Sequence, residues 1–336
     1  MLETLTPSAT FLVVTIDQGG EAQARQLLAD LEGLTRSVRS RVPEGRLSCV
    51  VGIGSDAWDR LFTGPRPAEL HEFPELVGRR RAVSTPGDLL FHVRATRSDL
   101  CFELVAEVMS RLRDAVTVRD EVVGFQYFDE RDLLGFVDGT ENPIGQAACS
   151  AVLVGEEDQA FAGGAYVVVQ KYLHDLNAWT ALSVEEQERV IGRSKAANIE
   201  QDEASQAPDS HVALNKVIAP DGTERQILRD NMPFGSAAHG EHGTYFIGYT
   251  RSPSVIEQML RNMFLGTASA DHDRILDFSE AVTGTLFFAP SATFLDDPPE
   301  LPKATAGADP ASTPSVTGTG QAGSLNIGSL RRSPNP

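Results

Sequence analysis

Apolar positions along this chain recur with two periods, one suited to strands and one to helices. Ala9 to Ile16 is rich in β-branched and aromatic residues and predicts a strand. A polar Gly-Gly turn follows. Glu21 to Ser40 then places Leu27, Leu28, Leu31 and Leu34 at helical spacing. Leu47 to Ile53 and Asp88 to Ala95 predict two further strands, Ser98 to Leu112 an amphipathic helix, and Val116 to Phe128 a fourth strand region. The later part repeats the plan. Ala165 to Tyr172 is a strand like Ala9 to Ile16, Thr244 to Tyr249 leads into a helix at about Pro253 to Phe264, and Thr285 to Ala289 closes with another strand. The two strand-to-helix junctions match as well, Thr96-Arg97-Ser98 in the first part and Thr250-Arg251-Ser252 in the second.

This repetition predicts an α+β chain built from a duplicated unit, two ferredoxin-like halves whose antiparallel sheets pack together. The halves are expected at residues 1–134 and 135–297. From about Pro298 the chain turns to Pro, Ala, Thr, Ser and Gly, with almost no large apolar residue. Such a stretch cannot offset its ordering entropy, and 298–323 is expected to be a disordered linker. At ~25 residues its root-mean-square span is roughly 25–30 Å. Apolar residues return in 324–336, at Leu325, Ile327 and Leu330, just before the basic pair Arg331-Arg332.

Composition narrows the function. A chain of 336 residues, 41% hydrophobic, can bury a sizeable core, and its formal charge of -18 repels phosphate. Nucleic acid and anionic membrane are therefore not expected as partners. No run approaches the roughly 18 apolar residues of a membrane helix, and the start Met1-Leu2-Glu3-Thr4 lacks the features of a signal peptide. The three cysteines are widely spaced, which fits a reduced compartment better than a disulfide framework. A cytoplasmic protein is expected.

Three segments carry candidate chemistry. Gly135-Phe136-Val137-Asp138-Gly139-Thr140-Glu141-Asn142-Pro143 sets one carboxylate between two glycines on a sharp turn. His211 follows a long acidic, polar stretch and opens the apolar run Val212-Ala213-Leu214, which places an imidazole where a loop meets the core. Arg229-Asp230-Asn231 offers a cation and an amide. Singly, each has an ordinary explanation, since Asp-Gly is a common turn dipeptide and Arg and Asn suit surface loops. His239-Gly240-Glu241-His242 has the look of a metal motif, but glycine-flanked residues before a strand fit a turn better.

Together, Gly135 to Pro143, Ser210-His211-Val212 and Arg229 to Phe234 resemble the three signature segments of the dye-decolorizing peroxidases, in the same order and at similar separations. Val51-Gly52-Ile53-Gly54-Ser55-Asp56-Ala57-Trp58 is similar to the type B branch, and the resemblance covers about residues 8–293. It implies one haem b per subunit, held in the second half. His211 would be the proximal iron ligand through Nε2. Asp273 is the first candidate for the carboxylate on the other ring nitrogen, with Asp277 as fallback. On the distal face Asp138 would move a proton between the peroxide oxygens, Arg229 would stabilise the peroxide anion, and Asn231 would add a neutral hydrogen bond. Arg229, Thr140, Glu141, Asn142 and Phe234 are expected to contact the cofactor, and Met232 is a further candidate for the distal lining.

The implied reaction reduces hydrogen peroxide through a ferryl haem and a radical, then oxidises a dye, phenol, lignin fragment or Mn(II) in one-electron steps. Trp58, Trp179 or a tyrosine would relay electrons from bulky donors. The family also implies a homo-oligomer. The terminal segment, through Leu325, Ile327, Gly328, Ser329 and Leu330, closely resembles peptides that load peroxidases into encapsulin shells. The expected partner is thus an encapsulin shell protein, and the location a cytoplasmic encapsulin nanocompartment. Two other readings stand beside this one, a haem-binding or haem-handling protein with little turnover and chlorite-dismutase-like chemistry on a related fold. Aspartate plus arginine on the distal side favours peroxide cleavage over storage.

Overall fold

A computed structural model describes residues 1–302. The first half runs β1 (Ser8–Ile16), α1 (Glu21–Arg39), β2 (Ser48–Gly54), β3 (Leu89–Ala95), α2 (Ser98–Leu112) and β4 (Val116–Phe125). Strands β2, β3, β1 and β4 pair side by side in that order, all antiparallel. The apolar stripe of α1, including Leu27, Leu28, Leu31 and Leu34, is buried in the core cluster that also holds Leu12, Val14, Val51 and Phe91 of the sheet.

The second half repeats this topology around a larger insertion. Its first strand is β5 (Ala165–His174). A short helix, α3 (His211–Asn215), follows within the insertion. Next come β6 (Leu228–Arg229), β7 (Met232–Ser236), β8 (Glu241–Thr250), α4 (Pro253–Leu265), β9 (Ser279–Ala281) and β10 (Thr285–Ala289). Here the order is β6 and β7, then β8, β5 and β10, with β9 on the outer part of β5. The second, third, first and fourth strands of each half are therefore arranged alike. Helices α2 and α4 both start from an extended cap residue, Arg97 and Ser252. The α+β duplication expected from the sequence is the observed architecture.

The halves join edge to edge, since β10 pairs with β2 through Phe287↔Gly54 and Phe288↔Ile53. The other two edges also approach. At Gly124 on β4 a Cβ would lie 2.5 Å from the Met232 Cβ on β7, so only glycine fits there. The resulting ten-stranded sheet has an inner apolar face shared by both halves, with Phe11, Leu90 and Val122 against Val169, Tyr245 and Phe287. Helices cover the outer face.

The segment expected to begin the linker is tied to the body as far as Glu300. Arg25 donates to the Pro298 and Pro299 carbonyls, and Thr63 N–H donates to Glu300. Leu325, Ile327, Gly328, Ser329 and Leu330 lie outside the described residues. Among the described residues no helix is long and apolar enough to cross a membrane.

Candidate active site

A cavity of about 470 Å³ opens on the outer face of the second half. Its floor comes from the sheet, with Gln170, Tyr172 and His174 on β5 and Thr244 and Phe246 on β8. Strand alternation puts these even-numbered side chains outward. Helix α4 supplies an apolar wall of Ile256, Met259, Leu260 and Met263. The loop around residues 134–141, helix α3 and the end of β6 complete it.

His211 is the first residue of α3, whose N-cap Ser210 accepts a hydrogen bond from Ala213 N–H. Its Nδ1 is 2.7 Å from Asp273 Oδ2 and 3.2 Å from Asn215 Nδ2. Among the described residues Nε2 has no hydrogen-bond partner, and the ring lines the cavity. Asp273 is fully buried, and its other oxygen accepts from Ile275 N–H at 3.0 Å. Of the two acids left open by the sequence, Asp273 is the one beside His211. Asp277 instead pairs with His272 at 3.0 Å and Arg80 at 2.9 Å.

Asp138 sits on a turn between Gly135 (φ 92) and Gly139 (φ 73), a left-handed backbone that suits glycine. Its Oδ1 accepts from Gly139 N–H at 2.7 Å and its Oδ2 from Asn231 Nδ2 at 2.9 Å. Asn231 Oδ1 in turn accepts from Ile247 N–H at 3.1 Å, so the amide bridges loop and sheet. Arg229 lines the same cavity, and its guanidinium makes no hydrogen bond or ion pair among the described residues. A cation left free in this way is available to a bound anion.

Thr140 and Glu141 reach the cavity wall. Thr140 Oγ1 accepts from Asn198, and Glu141 pairs with Arg193 at 3.1 Å. Asn142 does not line the cavity. It clamps the Arg229 backbone, donating to the carbonyl at 2.7 Å and accepting from the N–H at 2.9 Å. Phe234 is away from the cavity too. Arg229 and Asn231 face outward, so the period of two turns Met232 and Phe234 into the inner core. Trp179 lies behind Phe136 on the cavity wall and donates to the Leu134 carbonyl, whereas Trp58 packs among Phe62, Phe161, Phe288 and Phe294. His239 lies in the hairpin turn from β7 to β8, and His242 is in β8 opposite Gly235. No His, Cys, Asp and Glu group suited to a metal ion occurs among the described residues.

Three cavity residues had no local signal in the sequence. Gln170 is fully buried, and its Nε2 has no partner among the described residues. His174 is held between Ser279 and Thr244, and burial lowers its pKa to about 4. Asp132 accepts from Phe136 N–H, and burial raises its carboxyl to about 7. Strand pairing brings Gln170 and His174 here, and the turn that ties Asp132 to Phe136 brings Asp132.

Family models match both halves of the chain. The Dyp-type peroxidase, C-terminal, model matches residues 129–294, and the N-terminal model matches 1–126. This chain belongs to the Dyp-type peroxidase family. A dye-decolorizing peroxidase of Mycobacterium tuberculosis is 58% identical over 99% of this chain and 97% of its own length. Among solved structures, the encapsulated DyP-type peroxidase from Mycobacterium smegmatis has a TM-score of 0.89 at 58% identity, covering 90% of this chain and 98% of that one. A DypB variant from Rhodococcus jostii RHA1 in complex with heme has a TM-score of 0.87 at 51% identity, over 88% and 97% of the two chains. The protein is an enzyme of the peroxidase class.

Proposed function

We propose that this peroxidase holds one haem b in the cavity, reduces hydrogen peroxide, oxidises dyes, phenolics or similar one-electron donors, and is carried inside an encapsulin shell. The observation that carries the reading is one cavity lined by both an Asp273-backed His211 and the Asp138, Asn231 and Arg229 set. The residues fit a haem. The volume lies in the usual range for small-molecule sites. The wall of Phe246, Ile256, Met259 and Met263 suits a flat apolar ring, and Gln170 Nε2 is a buried donor still to be satisfied. His211 Nε2 is the open ligand atom. Arg193 and Lys216 on the same wall, both paired with Glu200 here, would be the cations for the haem carboxylates. The Rhodococcus relative's complex with heme supports the same assignment.

Haem, when bound, supplies the iron at which peroxide is reduced and to which donors deliver single electrons. His211 would hold the metal through Nε2, with the Asp273 carboxylate on Nδ1 fixing the ring and making the ligand more basic. Asp138 would take a proton from one peroxide oxygen and return it to the other, preparing the outer oxygen to leave as water once the haem supplies the electrons. Asn231 holds that carboxylate in place through Oδ2. Arg229 faces the developing negative charge with a fixed cation. Packaging is supported by the encapsulated Mycobacterium smegmatis relative and by the Ser324 to Arg332 segment of this chain.

The test is an absorption spectrum of the purified protein before and after hydrogen peroxide. A Soret band that shifts with peroxide, and is lost or moved to a different coordination state in His211→Ala, is the expected result. A His211→Ala protein with the wild-type spectrum would refute the ligand assignment.

A further inference from the structure

Asp230 lies between Arg229 and Asn231 but faces the other way. Strand alternation turns it into the inner core, where it is 1% exposed. There its Oδ2 accepts from Arg94 Nη1 at 2.5 Å. Arg94 belongs to β3 of the first half and is also 1% exposed. His92, from the same strand, lies with Nε2 3.8 Å from that oxygen, and its Nδ1 is 2.7 Å from the Tyr249 hydroxyl on β8. Burial, aided by Arg94, keeps His92 neutral. Arg94 Nε and Nη2, Asp230 Oδ1 and His92 Nε2 have no hydrogen-bond partner among the described residues.

A buried ion pair with unpaired atoms is an expensive way to fill a core, because apolar side chains of similar volume are often as stable or more so. Its position suggests what it is for. The backbone ladder is irregular at this point. Asp230 N–H donates to the Ile247 carbonyl, but Ile247 N–H donates to the Asn231 side chain rather than back to Asp230. Side chains therefore fix the tripeptide. Asn142 holds the Arg229 backbone from the loop, the Asn231 amide ties to Asp138 and Ile247, and Asp230 anchors the segment from behind.

We propose that Asp230 is a positioning residue, and that its ion pair with Arg94 lets β3 of the first half, a strand that contributes no residue to the cavity, set the placement of Arg229 and Asn231. The inference rests on the reading of Arg229 and Asn231 as the groups that act on peroxide. The pair is rigid because both partners are buried. Its charges matter because a neutral partner would bind the guanidinium less strongly and leave it free to shift. A displacement of about 1 Å in such groups is enough to slow a chemical step by about a hundredfold.

The experiment compares haem-loaded Asp230→Asn, the double variant Arg94→Met with Asp230→Leu, and Arg229→Leu. It measures thermal stability, the resting spectrum, the rate of the hydrogen peroxide-induced absorption change per bound haem, and KM for a reducing dye. Asp230→Asn should keep the resting spectrum and the dye KM but react with peroxide about tenfold or more slowly. The double variant removes both members of the pair together, so its stability should recover relative to Asp230→Asn. Its peroxide reaction should nevertheless remain about tenfold or more slow. A double variant that reacts at the wild-type rate would show that the pair serves only folding and would overturn the proposal, as would a wild-type rate in Asp230→Asn. An Arg229→Leu protein with undiminished peroxide rate would instead bring down the underlying reading of the site.

Discussion

At the scale of single residues, two cavity groups respond to pH in opposite senses. Burial lowers His174 to about 4, with His242 adding to the effect. The unfolded chain, with histidine near its ordinary value of about 6.5, binds that proton more readily than the folded one. Between about 6.5 and 4, unfolding thus takes up a proton, and the His174 contribution to stability falls as pH falls, by up to about 1.4 kcal/mol per pH unit. Asp132 has the reverse sign. Burial, with Asp138 adding, raises its carboxyl to about 7, so its protonated folded form contributes stability at low pH that is lost as pH rises from about 4 through 7. The two offset each other across the shared window. Asp132→Asn should therefore become more acid-sensitive than wild type between pH 6.5 and 4.5, and His174→Gln less. Thermal unfolding against pH, at matched haem content, checks this; three parallel curves would contradict it.

At the scale of elements, the site depends on a loop fastened to a strand. The Gly135 to Pro143 loop has few backbone bonds to the sheet, and two of its ties are the Asn142 amide on the Arg229 backbone. Asn142→Ala leaves a carbonyl and an N–H without their partners, at a cost of roughly 1–3 kcal/mol. Because Asn142 does not line the cavity, the variant should lose stability in urea and slow the peroxide reaction while retaining haem. Asn142→Asp keeps the acceptor for Arg229 N–H and loses the donor, so it should recover part of the deficit. A variant that sheds haem but keeps its peroxide rate per bound haem would show that Asn142 contacts the cofactor after all. The loop was legible in the sequence through its glycines and Asp138, but the role of Asn142 was not, because its partners lie 87 residues away.

At the scale of the whole molecule, the body ends where Pro298 to Glu300 are pinned by Arg25 and Thr63. Truncation after Pro302 spares those bonds. The truncated enzyme should keep its haem content, peroxide rate and melting temperature, and lose co-purification with an encapsulin shell protein. Packaging at normal levels would mean that the cargo signal lies in the body. In the proposed packaging a weak tail contact would suffice, since many copies on a symmetric shell gain from avidity.

Local sequence determined the main elements. β-Branched runs gave β1 and β5, the leucine stripe gave α1, and matching Thr-Arg-Ser junctions exposed the duplication. The short strands β6, β7 and β9 are too brief for periodicity to register and exist because neighbouring strands complete their hydrogen bonds, while α3 is a single turn capped by Ser210. Asp138, His211 and Arg229 stood out because turn chemistry and motif order are encoded locally. Which neighbours they have is not. The alternation of one strand sent Asn231 to the cavity and Phe234 and Asp230 to the core, and the pairing of distant strands brought Gln170, His174 and Arg94 to their places. Those assignments depend on register, which only the folded sheet sets.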